Sequence, residues 1–283
     1  MSYHDITVVI TTFRSKDKIK ECIKSINSEC AIINVENSTD ISHKQEIEKE
    51  FGNVTCILSG ENIGYGRGNN IGLKKVKTKY ALILNPDTVL HQNTLEAFLA
   101  STKEKPNFAI IGPNVIEDKN LLNFPNLSGG LEIVQVNEVK GFAMFLNLSK
   151  FKDIGFFDEN IFFFLEEIDL CTRLIKKKES IYWCKNIIIF HEGGKSHENI
   201  IDDEMELSRN WHWMWSSFYY NKKYNGYVIA VLKSTPKLLT SSIKVIFYLL
   251  TLQRKKRLIY LQRLSGLINS ILGKKSWYRP NVS

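Results

Sequence analysis

"YALILNPDTVL", residues 80–90, opens with five apolar positions, Tyr80–Leu84, and breaks off into Asn85-Pro86-Asp87-Thr88 before Val89 and Leu90 resume the pattern. A short unbroken apolar run reads as a strand buried on both faces. Pro86 has no N–H to give to a ladder and ends the pairing. Asn85 and Asp87, two apart on an extended backbone, point to the same side. Asp87 supplies a hard oxygen suited to Mg²⁺ or Mn²⁺, ions that bridge to phosphate oxygens. The same stretch also reads as a strand-to-helix turn with a capping Asp.

Around it lie more segments of both kinds. "ITVVITTF" (6–13), "AIINVEN" (31–37) and "VTCILSG" (54–60) read as buried strands. Helical patterns follow at 16–28, with Ile19, Cys22, Ile23 and Ile26 on one face, at 43–52, at 66–77 and at 93–105. Strict alternation of strand and helix predicts a parallel sheet covered on both faces, with ligands at the carboxyl ends of the strands. "NPDT", Glu36-Asn37 and "ENIGYG" (61–66) all fall at such ends, so three polar loops share one rim. Beyond residue 105 the strands expected are "FAIIGPNV", "EVKGFAMFLNL" and "IYWCKNIIIFHEGG", with a helix from Glu166. From Trp211 the chain is aromatic, then basic, apolar and helical.

A chain of 283 residues with 43% hydrophobic and 24% charged residues builds a packed core rather than a disordered coil. Residues 221–283 hold 13 of the 38 Lys and Arg and none of the 30 Asp and Glu, leaving 25 basic against 30 acidic residues before them. A body of net charge −5 thus carries a basic tail that favours an anionic partner. The five cysteines are odd in number and lack CxxC spacing, the pattern of buried thiols in a reduced, cytosolic compartment. The first residues show no signal peptide.

Three further groups carry chemistry. "ENIGYGRGNNIG" has glycines at 64, 66, 68 and 72 with Arg67 between them, a loop that lets amides approach an anion, or simply a flexible turn. Glu166, Glu167 and Asp169 sit at a helix start, where the dipole stabilises carboxylates and crowding shifts their pKa values, as a general base needs. His191 ends a strand, placed to ligate a metal or to serve structurally.

The order "VVITTF", "VENSTD", "NIGYGRGNNIG", "LNPDT", "VKGFAMFLNLSKFKDIGFFDENIFFFLEEIDLC", "HEGGKS" resembles inverting glycosyltransferases of family 2, most of all the bacterial rhamnosyltransferase-like branch, over residues 6–215. The resemblance implies the GT-A fold, a Rossmann-like mixed sheet with helices on both faces. It implies a catalytic domain over 1–215, with a nucleotide-sugar half (1–100) and an acceptor half (101–215), and a basic helical extension over 216–283. It puts Thr11 and Phe13 near the nucleotide base, with Glu36, where Asp is usual, on the base's edge. Asn62, Gly64, Arg67 and Asn70 run along the diphosphate and ribose. Asn85 and Asp87 match the acid-x-acid motif, with Asn85 in place of the first acid; Asp87, joined by His191, holds the Mg²⁺ or Mn²⁺. Gly141, Phe157, Asp158 and Glu159 floor the acceptor pocket. Glu167 takes the place of the base, with Glu166 beside it and Asp169 as the fallback. The donor implied is dTDP-rhamnose, or another dTDP- or UDP-linked sugar; a UDP-hexose or UDP-galactofuranose enzyme is the nearest alternative.

In the tail, Lys233, Pro236, Lys237 and Lys244 interrupt the apolar run, so a spanning helix is not expected. A basic amphipathic helix pair on an anionic membrane surface (227–275) fits, which suits a glycan or lipid-linked acceptor at the inner face of the cytoplasmic membrane. Packing on the catalytic domain or in a homodimer is the other reading, and Trp211, Trp213 and Trp215 serve either an interface or a core. The basic residues alternate with Leu and Ile rather than forming a polar groove, so nucleic acid is not the expected partner. A nucleotidyltransferase would need a glycine-rich loop after the first strand, where "TTFRSKDK" has none. A catalytically decayed membrane scaffold is the remaining alternative.

Overall fold

The computed structural model describes residues 2–117, 130–192 and 202–280. It divides into two compact units, Met1–Phe157 with Glu167–Glu198, and Asp158–Glu166 with Asn199–Ser283.

The first unit is built on β1 (Ile6–Thr12), β2 (Ala31–Glu36), β3 (Val54–Leu58), β4 (Tyr80–Leu84), β5 (Thr88–Leu90), β6 (Phe108–Ile116), β7 (Ile133–Gln135), β8 (Ala143–Asn147) and β9 (Ser180–His191). They form one mixed sheet in the order β3-β2-β1-β4-β8-β6-β9-β5, with β7 also on β9. β3, β2, β1 and β4 are mutually parallel. The helices are α1 (Lys16–Lys24), α2 (Ile41–Glu50), α3 (Tyr65–Leu73), α4 (Thr94–Glu104) and α5 (Glu166–Lys176). All of β1 is buried, with Val8 and Ile10 in one hydrophobic cluster and Val9 in another. A strand covered on both faces explains the unbroken β-branched run. From β1 the chain steps to β2 on one side and returns to β4 on the other. That reversal opens a crevice at the carboxyl ends of β1 and β4.

Two features depart from the expected pattern. The strand pair of β5 and β9 is antiparallel, with Thr88 opposite His191, and neither β5 nor β7 is marked in the sequence. The helix expected over 66–77 runs Tyr65–Leu73, ending four residues early, and holds Gly66, Gly68 and Gly72; of these glycines only Gly64, its cap, has a left-handed φ, of 90°. A Cβ on Gly68 would stand 2.5 Å from Thr11 Cγ2, and one on Gly72 would stand 2.5 Å from Val9 Cγ1. These glycines, one turn apart, let α3 lie directly on β1.

The second unit contains α6 (Asp202–Asn225), α7 (Tyr227–Leu250) and α8 (Arg254–Ile271). The boundary expected after residue 215 falls inside α6. Trp211 and Trp215 are core rather than interfacial anchors: they are buried, and their indole N–H groups donate to Ser265 Oγ and to the Lys274 carbonyl. Trp213, half a turn away, is exposed. Gly266 brings α8 onto α6, since a Cβ there would stand 2.2 Å from the Trp211 carbonyl oxygen. His212 stacks on Phe162 and bonds the Tyr278 carbonyl; burial pushes its pKa down to about 3. All five cysteines are buried free thiols, as expected.

Candidate functional site

At the carboxyl end of β4 the backbone turns tightly. The Asn85 amide donates to the Phe142 carbonyl, while Thr88 returns both its amide and its hydroxyl to the Asn85 carbonyl. The turn buries Asp87, 4% exposed, with neither carboxylate oxygen hydrogen-bonded. His191, across the β5–β9 pair, puts Nε2 3.4 Å from Asp87 Oδ1; that nitrogen and Asn85 Oδ1 are also without hydrogen-bond partners. Phe142 stacks flat on the His191 ring at 4.6 Å and fixes its plane. The Glu192 amide donates to the Asp87 carbonyl, and the Glu192 carboxylate pairs with Lys18. Buried acceptors without donors are costly. A carboxylate and an imidazole sharing that condition fit a divalent cation, with a substrate's phosphate oxygens completing its shell. Among the described residues no group of three or more His, Cys, Asp and Glu offers a fuller ligand set.

A second set of open acceptors lies along the ends of β1 and β2. Glu36 is 2% exposed and its Oε2 accepts no hydrogen bond; His43 Nε2 is 3.7 Å from that oxygen, but bonds Asn34 Oδ1 instead. Thr11 Oγ1 and Asn37 Oδ1 are likewise buried and unpartnered. Asn37 donates to the Gly64 carbonyl, and Asn62 Oδ1 accepts from the Gly64 amide, so these side chains set the entry to α3. Arg67 is exposed, whereas Phe13 is half-buried above Ser15. Asn70 is committed elsewhere: its amide both donates to and accepts from the Phe157 backbone, bracing the turn ahead of "DEN".

The carboxylates of α5 separate by environment. Phe164 and Leu165, just before the helix, both have left-handed φ, of 67° and 68°. Side chains seldom adopt that conformation, and such strain gathers at functional turns. Glu167 is half-buried over Gly141, whose Cβ would stand 3.3 Å from Glu167 Cβ; Tyr65 donates to the Gly141 carbonyl and holds that floor. Burial raises the Glu167 pKa above the usual carboxylate value, against amides of its own helix start that lower it. Asp169 is fully buried, and Arg173 donates to it at 2.8 Å while gripping the carbonyls of Ile154 and Phe156. That arrangement suits a structural clamp. Glu166 is buried, and Glu159 is exposed. Asp158, in the second unit, accepts from Asn160, Tyr219 and Lys223. Burial alone would raise its pKa, but Lys223 and Asn160 hold it down at about 2.

The first unit therefore brings together Thr11, Glu36, Gly64, Asn85, Asp87 and His191 at the crevice end of the sheet. Sequence reasoning sets Asn37 on the rim without a role of its own and misses Phe142. Asn37 is legible as part of the polar Glu36-Asn37 loop, while nothing in the sequence marks Phe142 as the neighbour of His191. Gly193–Ser196 of "HEGGKS" lie outside the described residues.

Residues 7–170 match the family model "Glycosyl transferase family 2". The low-salt glycan biosynthesis hexosyltransferase Agl10 of Haloferax volcanii is 24% identical over 208 residues, covering 66% of this chain and 67% of that protein. The rhamnosyltransferase WbbL of Escherichia coli K12 is 25% identical over 203 residues, 60% of this chain and 76% of the other. An N-acetylglucosaminyl-diphospho-decaprenol L-rhamnosyltransferase of Mycobacterium tuberculosis is 21% identical over 52% of this chain and 61% of its own. Among solved structures, the mannosyltransferase PcManGT of Pyrobaculum calidifontis, in complex with GDP-Man and Mn²⁺, superimposes with a TM-score of 0.60 at 12% identity, over 96% of this chain and 88% of that one. S. aureus TarS 1–349 gives 0.54 at 13% identity, over 97% and 93%. Both likenesses are of fold. With one family model matched from β1 into α5, over more than half its length, the chain belongs to glycosyl transferase family 2 and is a glycosyltransferase of GT-A fold.

Proposed function

We propose that the chain moves a sugar, L-rhamnose from dTDP-rhamnose, onto a hydroxyl of a glycan or lipid-linked glycan acceptor with inversion at the anomeric carbon. The observation that carries the reading is the cluster of open acceptors at Asn85, Asp87 and His191. Mg²⁺ or Mn²⁺ bound there offsets the charge of a leaving diphosphate. Asp87 and His191 would hold it, and the Mn²⁺ bound in the structure of PcManGT supports the choice of ion. Glu36 accepts the N–H on the pairing edge of thymine or uracil, which gives its open oxygen a donor. Thr11 and Asn37 border the nucleoside, and the amide end of α3 faces the phosphates. Gly141 leaves room beside Glu167 for an acceptor hydroxyl. Glu167 takes the proton from that hydroxyl as it attacks, a role in which a well-placed base contributes about 10²–10⁴ in rate. Rhamnose is favoured by the named rhamnosyltransferase relatives. The hexosyltransferase relative supports a second donor class, a UDP-linked hexose.

The test is a donor panel of dTDP-rhamnose, UDP-glucose and UDP-galactofuranose in the presence of Mn²⁺, with release of the nucleoside diphosphate as readout. Turnover of dTDP-rhamnose supports the reading, turnover of a UDP-sugar alone moves it to the second donor class, and turnover of none contradicts both.

A further inference from the structure

We propose that α7 and the turn after it form a docking surface for an anionic lipid bilayer, lying in its interface without crossing it. The amphipathicity of α7 is reversed. The side packed against its neighbours is small or polar, with Ala230, Ser234 and Ser241 buried. The opposite side carries Val228, Leu232, Leu239, Ile243, Ile246 and Leu250, all exposed, Leu232 by 67% and Leu250 by 77%. Their spacing of three, four or seven residues keeps them in one stripe along the helix. A helix on an aqueous surface does the reverse, turning its apolar stripe to the core. Phe247 and Leu252 extend the stripe into the turn, where Leu252 is 87% exposed. A contiguous apolar area of this kind marks an interaction surface.

Charge identifies the occupant. Residues 221–283 contain no acidic side chain. Lys233 on α7 and Arg254 and Lys256 just past the turn are exposed beside the stripe. Beside the turn the acids of α6, Asp203 and Glu206, are engaged by Lys255, so a second copy seated on the stripe would set the exposed Lys233, Arg254 and Lys256 of each copy against those of the other, which is repulsive. Anionic headgroups complement the lysines and arginines while the acyl region takes the leucines and isoleucines. No helix among the described residues is long and apolar enough to cross a membrane, so α7 lies along the surface. Vesicle binding reads this surface without any transfer reaction, independently of donor and acceptor.

The experiment is co-sedimentation of the full chain with phosphatidylcholine vesicles, with and without phosphatidylglycerol. Three proteins are compared: native, Leu232→Ser/Ile243→Ser/Leu250→Ser, and Lys233→Gln/Arg254→Gln/Lys256→Gln. The native chain is expected to bind the anionic vesicles at least about tenfold more tightly than the neutral ones, and the apolar triple variant to lose about tenfold or more. Its thermal midpoint is expected to stay close to native, since those side chains are about two-thirds or more exposed and have little packing to lose. The charge variant, like added salt, is expected to weaken binding. Failure of the native chain to bind anionic vesicles, or native-like binding by the apolar variant, overturns the proposal. So does a native chain that is dimeric in vesicle-free buffer while the apolar variant is monomeric, because the face is then a contact between copies.

Discussion

His191 Nε2 stands 3.4 Å from Asp87 Oδ1, and neither atom has a hydrogen-bond partner. The β5–β9 pairing, with Thr88 opposite His191, creates this relationship between two residues far apart in the chain. An open buried carboxylate destabilises the fold until a cation reaches it. Asp87→Asn is therefore expected to raise the thermal midpoint of the metal-free protein while abolishing its gain on adding Mn²⁺. Outer partners of metal ligands contribute about 10–100-fold in metal affinity. His191→Ala, which removes the proposed second ligand, is expected to weaken Mn²⁺ binding by at least that much. Thermal melts across a Mn²⁺ series check both.

Glu167 gives a pH prediction. Burial raises its pKa, so as the proposed base it stays protonated, and idle, up to a higher pH than an ordinary glutamate. The acid limb of kcat/KM is expected above the usual carboxylate range, and Glu167→Gln is expected to lower kcat by about 10²–10⁴ with nucleotide affinity unchanged. The stability sign is opposite. A raised folded pKa means the folded state holds its proton longer than the unfolded chain, so stability is lost as pH rises through that pKa. Glu167→Gln is expected to be more stable than native at neutral pH, as urea titrations would read. Asp169→Asn is expected to lose stability instead, because it breaks the clamp with Arg173.

The glycines of α3 reverse the usual helix rule. Replacing a helical glycine by alanine favours the helix by about 1 kcal/mol. At Gly72 the added Cβ would meet Val9 Cγ1 at 2.5 Å, in a core with no slack, and overpacking of that kind costs about 1–3 kcal/mol. Gly72→Ala is expected to be less stable than native in chemical unfolding. Gly52→Ala, with nothing nearby for its Cβ to meet, is the control and is expected to be neutral within about 0.5 kcal/mol.

Much of this is legible in the sequence, for physical reasons. β1 to β4 are apolar runs buried on both faces, and Pro86 marks where β4 must end. β5 and β7, three residues each, have no period of their own and exist because β9 pairs with them. The helix of α3 is legible from residue 66 onward, but the reason Gly68 and Gly72 must be glycine is contact with β1, which is not written locally. Trp211 and Trp215 share a helix face while Trp213 does not, so an i, i+2, i+4 set cannot be one core or one anchor. From their spacing Asn85 and Asp87 read as a same-facing polar pair at a strand end, but the stacking of Phe142 on His191 depends on the β8 neighbourhood.

Asp158 tests the second unit. Its pKa of about 2 reflects Lys223 and Asn160 outweighing the cost of burial. A depressed folded pKa contributes stability above the unfolded value that is lost as pH falls toward 2. Asp158→Asn is expected to cost on the order of 2 kcal/mol at pH near 7, with the gap to native closing near pH 2. Urea midpoints measured at both ends of that range check it.

The turn at Asn85-Pro86-Asp87 is proposed to hold a divalent cation under a nucleotide diphosphate. Calorimetric titration of dTDP and UDP, each with and without Mn²⁺, into the native protein and into Asp87→Ala tests it most directly. Mn²⁺-dependent binding of at least one nucleotide by the native chain is expected, lost in the variant while its fold is retained. Binding that ignores Mn²⁺, or that survives Asp87→Ala, would contradict it.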